Sequence, residues 1–154
     1  MHGLVKLLRR TPVRTFVFYP LITIAWELAV NRGALRLEPI FLPLMLWGYL
    51  QYRLCGLYRI KRGGGGPGLE TPPERLVAGG PYAYTRNPMY LGHLIYLTGL
   101  TLSFHSLLAA AITLVTAIWF HRRVVADEER LAVRLGEPYQ HYCASVKRWL
   151  PGLF

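Results

Sequence analysis

Cysteine is nearly absent: Cys55 and Cys143 are the only two in 154 residues. They stand far apart and outside any metal-ligand spacing, which argues against a disulfide framework and against a zinc site, so no metal is expected. Acidic residues are also scarce, eight against eighteen lysines and arginines, for a net charge of +10. The glycine run Gly63–Gly66, with Pro67 and Gly68, lacks the Lys-Ser/Thr ending of a phosphate-binding loop and has no strand–helix context. It reads as a flexible turn, and no Rossmann fold is expected. No cleavable signal peptide is expected either, because the apolar run behind the basic N-terminus is long and lacks a small-residue cleavage pattern.

What the chain has in quantity is apolar side chain, 53% of the total, within a length that suits one domain. Four apolar segments stand out: about Thr15–Val30, Pro39–Tyr58, Met89–Phe104 and Ser106–Phe120. The second is long enough to cross a bilayer at ~1.5 Å per residue, and the others reach that length with their flanks. Only His105 separates the last two, which predicts a tight helical hairpin. The fold class expected is an all-α integral membrane protein with about four transmembrane helices and a cytosolic C-terminal helical segment. The single domain 1–154 divides into N-terminal spans and basic flank (1–62), a Gly/Pro-rich cytosolic loop (63–87), the hairpin (88–121) and a cytosolic segment (122–154).

The positive charge falls almost wholly on one side of those spans. Lys6, Arg9, Arg10 and Arg14 precede the first. Arg53, Arg59, Lys61, Arg62, Arg75 and Arg86 lie between the second and third, or at their ends. Arg122, Arg123, Arg130, Arg134, Lys147 and Arg148 follow the fourth. Only Arg32 and Arg36 fall on the other side. The positive-inside rule then puts both termini and the central loop in the cytoplasm of a multi-pass protein, at the inner membrane if bacterial and the endoplasmic reticulum if eukaryotic. Basic residues spread over three segments abutting apolar spans suit anionic lipid headgroups better than nucleic acid, and no nucleic-acid partner is expected.

Polar chemistry collects in two places. The first is "GPYAYTRNPMYLGH", residues 80–93. Asn87 and Pro88 form a good helix start, since Asn is a preferred N-cap and Pro has the right φ for the first helical position. Interfacial tyrosines are ordinary anchors, yet Tyr82, Tyr84 and Tyr90 cluster beside Arg86. His93, one turn inside the third span, could line a cavity or bond a neighbour. Glu27, a turn from Arg32, is expected at the outer interface.

The second place follows the fourth span, "HRRVVADEERLAVRLGEPYQHYCASVKRWLPGLF". A helix from His121 should end at Gly136, with Val124, Leu131 and Leu135 on one face and Glu128 in their midst. Arg123, Asp127, Arg130 and Arg134 fall on the opposite, solvent-facing arc, with Glu129 at the border. A carboxylate on a buried stripe is costly unless cations or donors meet it. Glu128 therefore serves either a structural salt bridge, to Arg86 or another basic residue, or a ligand. A short helix with Pro138 in its first turn should then carry Tyr139, Tyr142, Val146 and Trp149 as an aromatic stripe. Arg148 beside it could hold an anion or snorkel to headgroups.

Three features in order, "GPYAYTRNPMYLG", "DEERL" and "LGEPYQHYCASVKRWLP", resemble the isoprenylcysteine carboxyl methyltransferase family and its bacterial and phospholipid methyltransferase relatives. The resemblance covers about residues 76–151 and runs from Gly-Pro-Tyr to a basic-x-x-Pro ending at Pro151. It implies S-adenosylmethionine as methyl donor, in a pocket formed by the last two spans and the C-terminal segment. The implied cofactor region takes in Tyr82, Arg86, Asn87, Tyr90, Gly92, His93, Glu128, Glu129, Tyr139 and Tyr142, with Arg86, Glu128 and Arg148 as candidate catalytic groups. Asn87 stands where the family frequently has His, and an amide cannot titrate as a general base near neutral pH.

The chemistry of these residues agrees with that donor. Glu128 or Glu129 can pair with its ammonium, aromatic rings can stack adenine or face the sulfonium, and Arg86 or Arg148 can hold a carboxylate. The acceptor implied is lipid-like or isoprenylated, with a phospholipid amine as the alternative. A sterol reductase-like enzyme using NADPH is the enzymatic rival, although "PMYLGH" departs from that signature. A four-span scaffold or lipid-binding subunit is the non-enzymatic one.

Overall fold

The computed structural model describes residues 10–66 and 68–150. The expectations resting on Lys6, Arg9, Pro67 and Pro151 lie outside the described residues. Among the described residues the fold is helical, with no strand. Helix α1 runs Thr11–Val30 and includes a π-helical stretch at Arg14–Phe18. A 3-10 turn, Pro39–Phe41, leads into α2, Leu42–Gly63. Another, Gly80–Ala83, precedes α3, Pro88–Phe104. Helix α4 is Leu107–Leu135 and α5 is Glu137–Ser145.

Two of these boundaries correct the sequence reading. The fourth apolar segment and the charged segment behind it are one unbroken helix of 29 residues. Apolarity ends near Phe120, but nothing from Leu107 to Leu135 stops a helix: the stretch has no Gly or Pro. The stop is Gly136, as expected, with a φ of 64° and its amide bonded to the Ala132 carbonyl. The aromatic stripe is likewise cut short. Helix α5 ends at Ser145 and Val146 is extended, so Trp149 leaves the helical register of Tyr139 and Tyr142.

The chain divides into two compact units, each assembled from two stretches of sequence. Of the described residues, one comprises 10–50 and 92–117, the other 51–66, 68–91 and 118–150. In the first, Leu97, Leu100, Phe104 and Ala109 form the core, with Tyr19, Ile24, Met45 and Tyr96 against it. The turn between α3 and α4 is tight: His105 takes a φ of 47° and the Ser106 hydroxyl accepts the Ala109 amide at 3.2 Å. Glycines permit backbone to meet backbone here. A Cβ on Gly48 would lie 2.4 Å from the Tyr96 nitrogen and 2.6 Å from the Gly92 oxygen, and one on Gly99 would lie 2.9 Å from the Met45 nitrogen. Glu27, expected to serve an outer interface, accepts the Asn31 side-chain amide at 2.9 Å.

Among the described residues two helices, Thr11–Val30 and Leu107–Leu135, are long and apolar enough to cross a membrane. Their apolar windows are only 11% and 22% buried in protein, respectively. Leu21, Trp26, Leu114 and Val115 are all exposed. Apolar surface so continuous is what a lipid solvent, not water, tolerates. Of the four expected spans, these two meet the measure of length and apolarity. Helix α2 loses it through Gln51, Arg53, Arg59, Lys61 and Arg62, and α3 has 17 residues, at the short end for a span.

The close approach at Gly48 yields a stability test. Gly48→Val should force α2 and α3 apart and lower stability by about 3 kcal/mol, the upper end of overpacking costs. The unfolding midpoint of the detergent-solubilised protein should fall accordingly.

Candidate functional site

The second unit gathers three stretches distant in sequence: the loop 80–87 with the first turn of α3, the charged part of α4, and the C-terminal segment. The loop is folded by its own residues. Pro81 opens the 3-10 turn, Gly80 takes a φ of 58°, and buried Tyr82 stacks on Tyr58 with ring centroids 6.5 Å apart. Pro88 begins α3, as the Asn-Pro pair predicts.

At the centre is Glu128, 8% exposed. Its Oε2 accepts from Arg148 Nε at 2.9 Å. Its Oε1 receives the Asn87 side-chain amide at 3.1 Å and faces Arg86 Nε at 3.3 Å. The C-terminal segment is stitched to the loop around it. The Arg86 amide donates to the Lys147 carbonyl at 3.0 Å, Thr85 Oγ1 to the Arg148 carbonyl at 3.1 Å, and Arg86 Nη1 to the Cys143 carbonyl at 3.3 Å. A desolvated carboxylate needs such company, because leaving it unpaired costs several kcal/mol, about 3–5 where one partner is removed.

A cavity of about 650 Å³ opens beside this cluster, within the range of small-molecule sites. Tyr82, Arg86, Asn87, Tyr90, Glu128, Tyr139 and Tyr142 all line it, with Leu69, Met89, Leu131 and Leu135 among the apolar walls. Burial pushes the phenols of Tyr82, Tyr139 and Tyr142 well above the usual tyrosine range. They therefore remain neutral O–H donors at physiological pH. Tyr142 uses its hydroxyl on the Tyr82 carbonyl at 2.6 Å, and Tyr90 donates to Asp127 Oδ2 at 3.1 Å. The arrangement offers aromatic faces, a carboxylate and guanidiniums within one partly apolar chamber, a donor set for a ligand that has both a flat ring and an amino-acid head.

The other sequence candidates sit elsewhere. Arg148 does not line the cavity and acts on it through Glu128. Glu129, 100° further round α4, has its side chain exposed. Gly92 and His93 belong to the first unit, where Gly92 underlies the approach to Gly48 and the His93 ring stacks on Phe16 at 4.7 Å. Trp149 donates to His121 Nδ1 at 3.2 Å instead of extending the α5 stripe.

The arc of α4 expected to face solvent borders the cavity: Arg130 and Arg134 are exposed as expected, whereas Arg123 and Asp127 are half-buried. Arg123, Asp127, Arg130 and Arg134 all line it. Arg123 donates to the Leu69 carbonyl at 3.0 Å, and Asp127 pairs with Arg123 and Arg130 at 3.7 Å each. The loop behind the glycine turn reaches the arc at Arg123 through that Leu69 carbonyl, which helical periodicity alone does not reveal. Arg59 was also missed. The signal existed: Tyr52, Cys55 and Arg59 repeat at helical spacing on one face, and all three are buried, the same pattern that singles out Glu128.

Against known proteins, the family model for phospholipid methyltransferase matches residues 67–135. This is the same family of membrane methyltransferases as the isoprenylcysteine carboxyl methyltransferases, so the resemblance carried by the motifs is borne out. The match takes in the loop, Glu128 and the wall of α4; Tyr139, Tyr142 and Arg148 lie beyond its end. No curated protein and no solved structure matches the chain.

The Tyr142–Tyr82 bond can be probed alone. Tyr142→Phe leaves a buried carbonyl without its donor and should cost about 1–3 kcal/mol, read as a lowered unfolding midpoint with an unchanged circular dichroism spectrum.

Proposed function

We propose that this protein is a membrane methyltransferase that uses S-adenosylmethionine and delivers the methyl group to a lipid-like acceptor. The observation that carries the reading is the chamber beside Glu128, within and next to the segment that matches the methyltransferase family. When bound, S-adenosylmethionine would supply an electrophilic methyl group on a sulfonium. The residues present suit it. Glu128, positioned by Arg148, offers a carboxylate to the ammonium, Arg86 lies beside it for the carboxylate, and Tyr82, Tyr139 and Tyr142 supply aromatic faces for the ring and the cation. Those contacts orient the donor, and alignment supplies much of the rate in an in-line displacement.

Two acceptor classes fit. A prenylated cysteine carboxylate attacks as it stands, whereas a phospholipid amine must first lose a proton. Asn87 cannot take that proton. The match to the phospholipid methyltransferase family favours the phospholipid amine, and the motif order of the C-terminal half favours the isoprenylcysteine type.

The proposed topology has α1, α2, α3 and the apolar part of α4 as four spans, with both termini cytoplasmic. Charge supports it, since sixteen of the eighteen basic residues flank the same side. Length supports it too: at 29 residues α4 extends about 43 Å, beyond the hydrocarbon thickness, so its charged end can stand in water.

The test is transfer of a labelled methyl group from S-adenosylmethionine into membrane extract, with extraction of the labelled product. A lipid-soluble methylated product is expected; binding of NADPH with none of the methyl donor would overturn the reading. Glu128→Gln keeps one acceptor oxygen for Arg148, so it should fold and bind the donor at least about tenfold more weakly, a loss of ~1.4 kcal/mol. An unchanged donor affinity with a lowered unfolding midpoint would make Glu128 structural only.

A further inference from the structure

Among the described residues Arg59 has no ion-pair partner. It is 7% exposed and lines the cavity. Its Nη2 donates to the carbonyls of Gly66 and Thr71 at 3.0 Å each, and to that of Gly68. Its Nε is buried with no hydrogen-bond partner among the described residues. The ion pairs among those residues engage Arg86, Arg123, Arg130 and Arg148, and none engages Arg59. Carbonyl dipoles orient its guanidinium but leave its charge uncompensated, an expensive state in a desolvated site. The cavity wall as a whole has the same bias. Away from solvent it holds Arg59, Arg86 and Arg123 against Asp127 and Glu128, one cation in excess, while Glu70, Arg130 and Arg134 are exposed.

We propose that Arg59 is the acceptor's oxyanion site, holding the phosphate or carboxylate of the lipid-like molecule to be methylated. The inference rests on the methyltransferase reading above and goes further by giving the acceptor a required charge. The two candidate anions, the donor's carboxylate and the acceptor's, are separated by the neighbours each would meet. The donor's amino-acid head is zwitterionic and needs opposite charges side by side, which Arg86 and Glu128 provide in the cavity wall. Arg59 has no carboxylate partner among the described residues, which suits a group that is anionic alone. Three carbonyls fix its orientation in advance, so little side-chain freedom is lost on binding.

The test uses the full chain in detergent and three probes: dihexanoyl phosphatidylethanolamine, N-acetyl-S-farnesylcysteine and S-adenosylhomocysteine. Arg59→Gln should weaken whichever acceptor the wild type holds by at least about tenfold, while S-adenosylhomocysteine affinity stays within about twofold. The phospholipid and the farnesylcysteine arms separate phosphate from carboxylate. Loss of S-adenosylhomocysteine affinity to the same degree, or acceptor affinity that does not change, would overturn the proposal. If Arg59→Gln does not fold, the wild type decides, compared with the uncharged counterparts dihexanoylglycerol and the farnesylcysteine methyl ester. Equal affinity for charged and uncharged forms overturns it. Wild-type protein that binds S-adenosylhomocysteine but neither acceptor overturns this inference and leaves the methyltransferase reading standing. Failure to bind S-adenosylhomocysteine, with Arg59-dependent acceptor binding intact, does the reverse.

Discussion

A carboxylate removed from water sets the terms for the second unit. Glu128 cannot stay charged on the inner face of α4 unless cations and donors reach it. Those that do come from far away in sequence: Arg86 and Asn87 from the turn into α3, Arg148 from beyond α5. Satisfying one residue therefore fixes where the loop and the C-terminal segment must lie. Once they lie there, backbone bonds such as Arg86 to Lys147 and the Thr85 hydroxyl bond to the Arg148 carbonyl follow at little further entropic cost. Tyr82, Tyr139 and Tyr142 are brought to one chamber by the same convergence.

The first unit depends on a different economy. Apolar side chains cannot drive helices together in a solvent as apolar as themselves, so contact must come from close fit. Gly48 and Gly99 supply it, letting backbone atoms approach to distances that any Cβ would block. Thr101 and Thr113 add a hydroxyl pair at 3.1 Å between α3 and α4. Phe16 contributes through its ring, stacked on His93 and edge-on to Tyr49 and Tyr96.

Periodicity and charge made part of this legible. Glu128 stood out because it interrupts an apolar stripe, and Pro88 and Gly136 marked a helix start and stop by their dihedral preferences. The hairpin at His105 followed from the length of the apolar runs. What escaped was whatever depends on a segment without periodicity. The glycine-rich loop gives no helical or strand pattern, so nothing in it announced that it would reach Arg123 or surround Arg59. Reading a span end from apolarity also split α4 at Phe120, although a helix ends where its backbone cannot continue and not where its side chains become charged. The roles of Glu129 and His93 were inferred by resemblance, and geometry gives them other surroundings: solvent for one, Phe16 for the other.

Electrostatics connects the chamber with the chemistry proposed for it. The buried phenols stay protonated, so the charge there comes from arginines and carboxylates alone. Glu128 is matched by Arg86 and Arg148, and Asp127 by Arg123 and Arg130. These matched sets can receive a zwitterion by exchanging partners without changing the net charge of the site. A sulfonium donor would add one positive charge to a wall already in cationic excess, and Coulomb repulsion in a low-dielectric chamber is not screened as it is in water. An anionic acceptor removes that penalty as it arrives, so each substrate makes the other's presence less costly. Binding of donor and acceptor should then be mutually favourable by the same factor, as linkage requires, with Arg59 as the cation whose charge the acceptor neutralises.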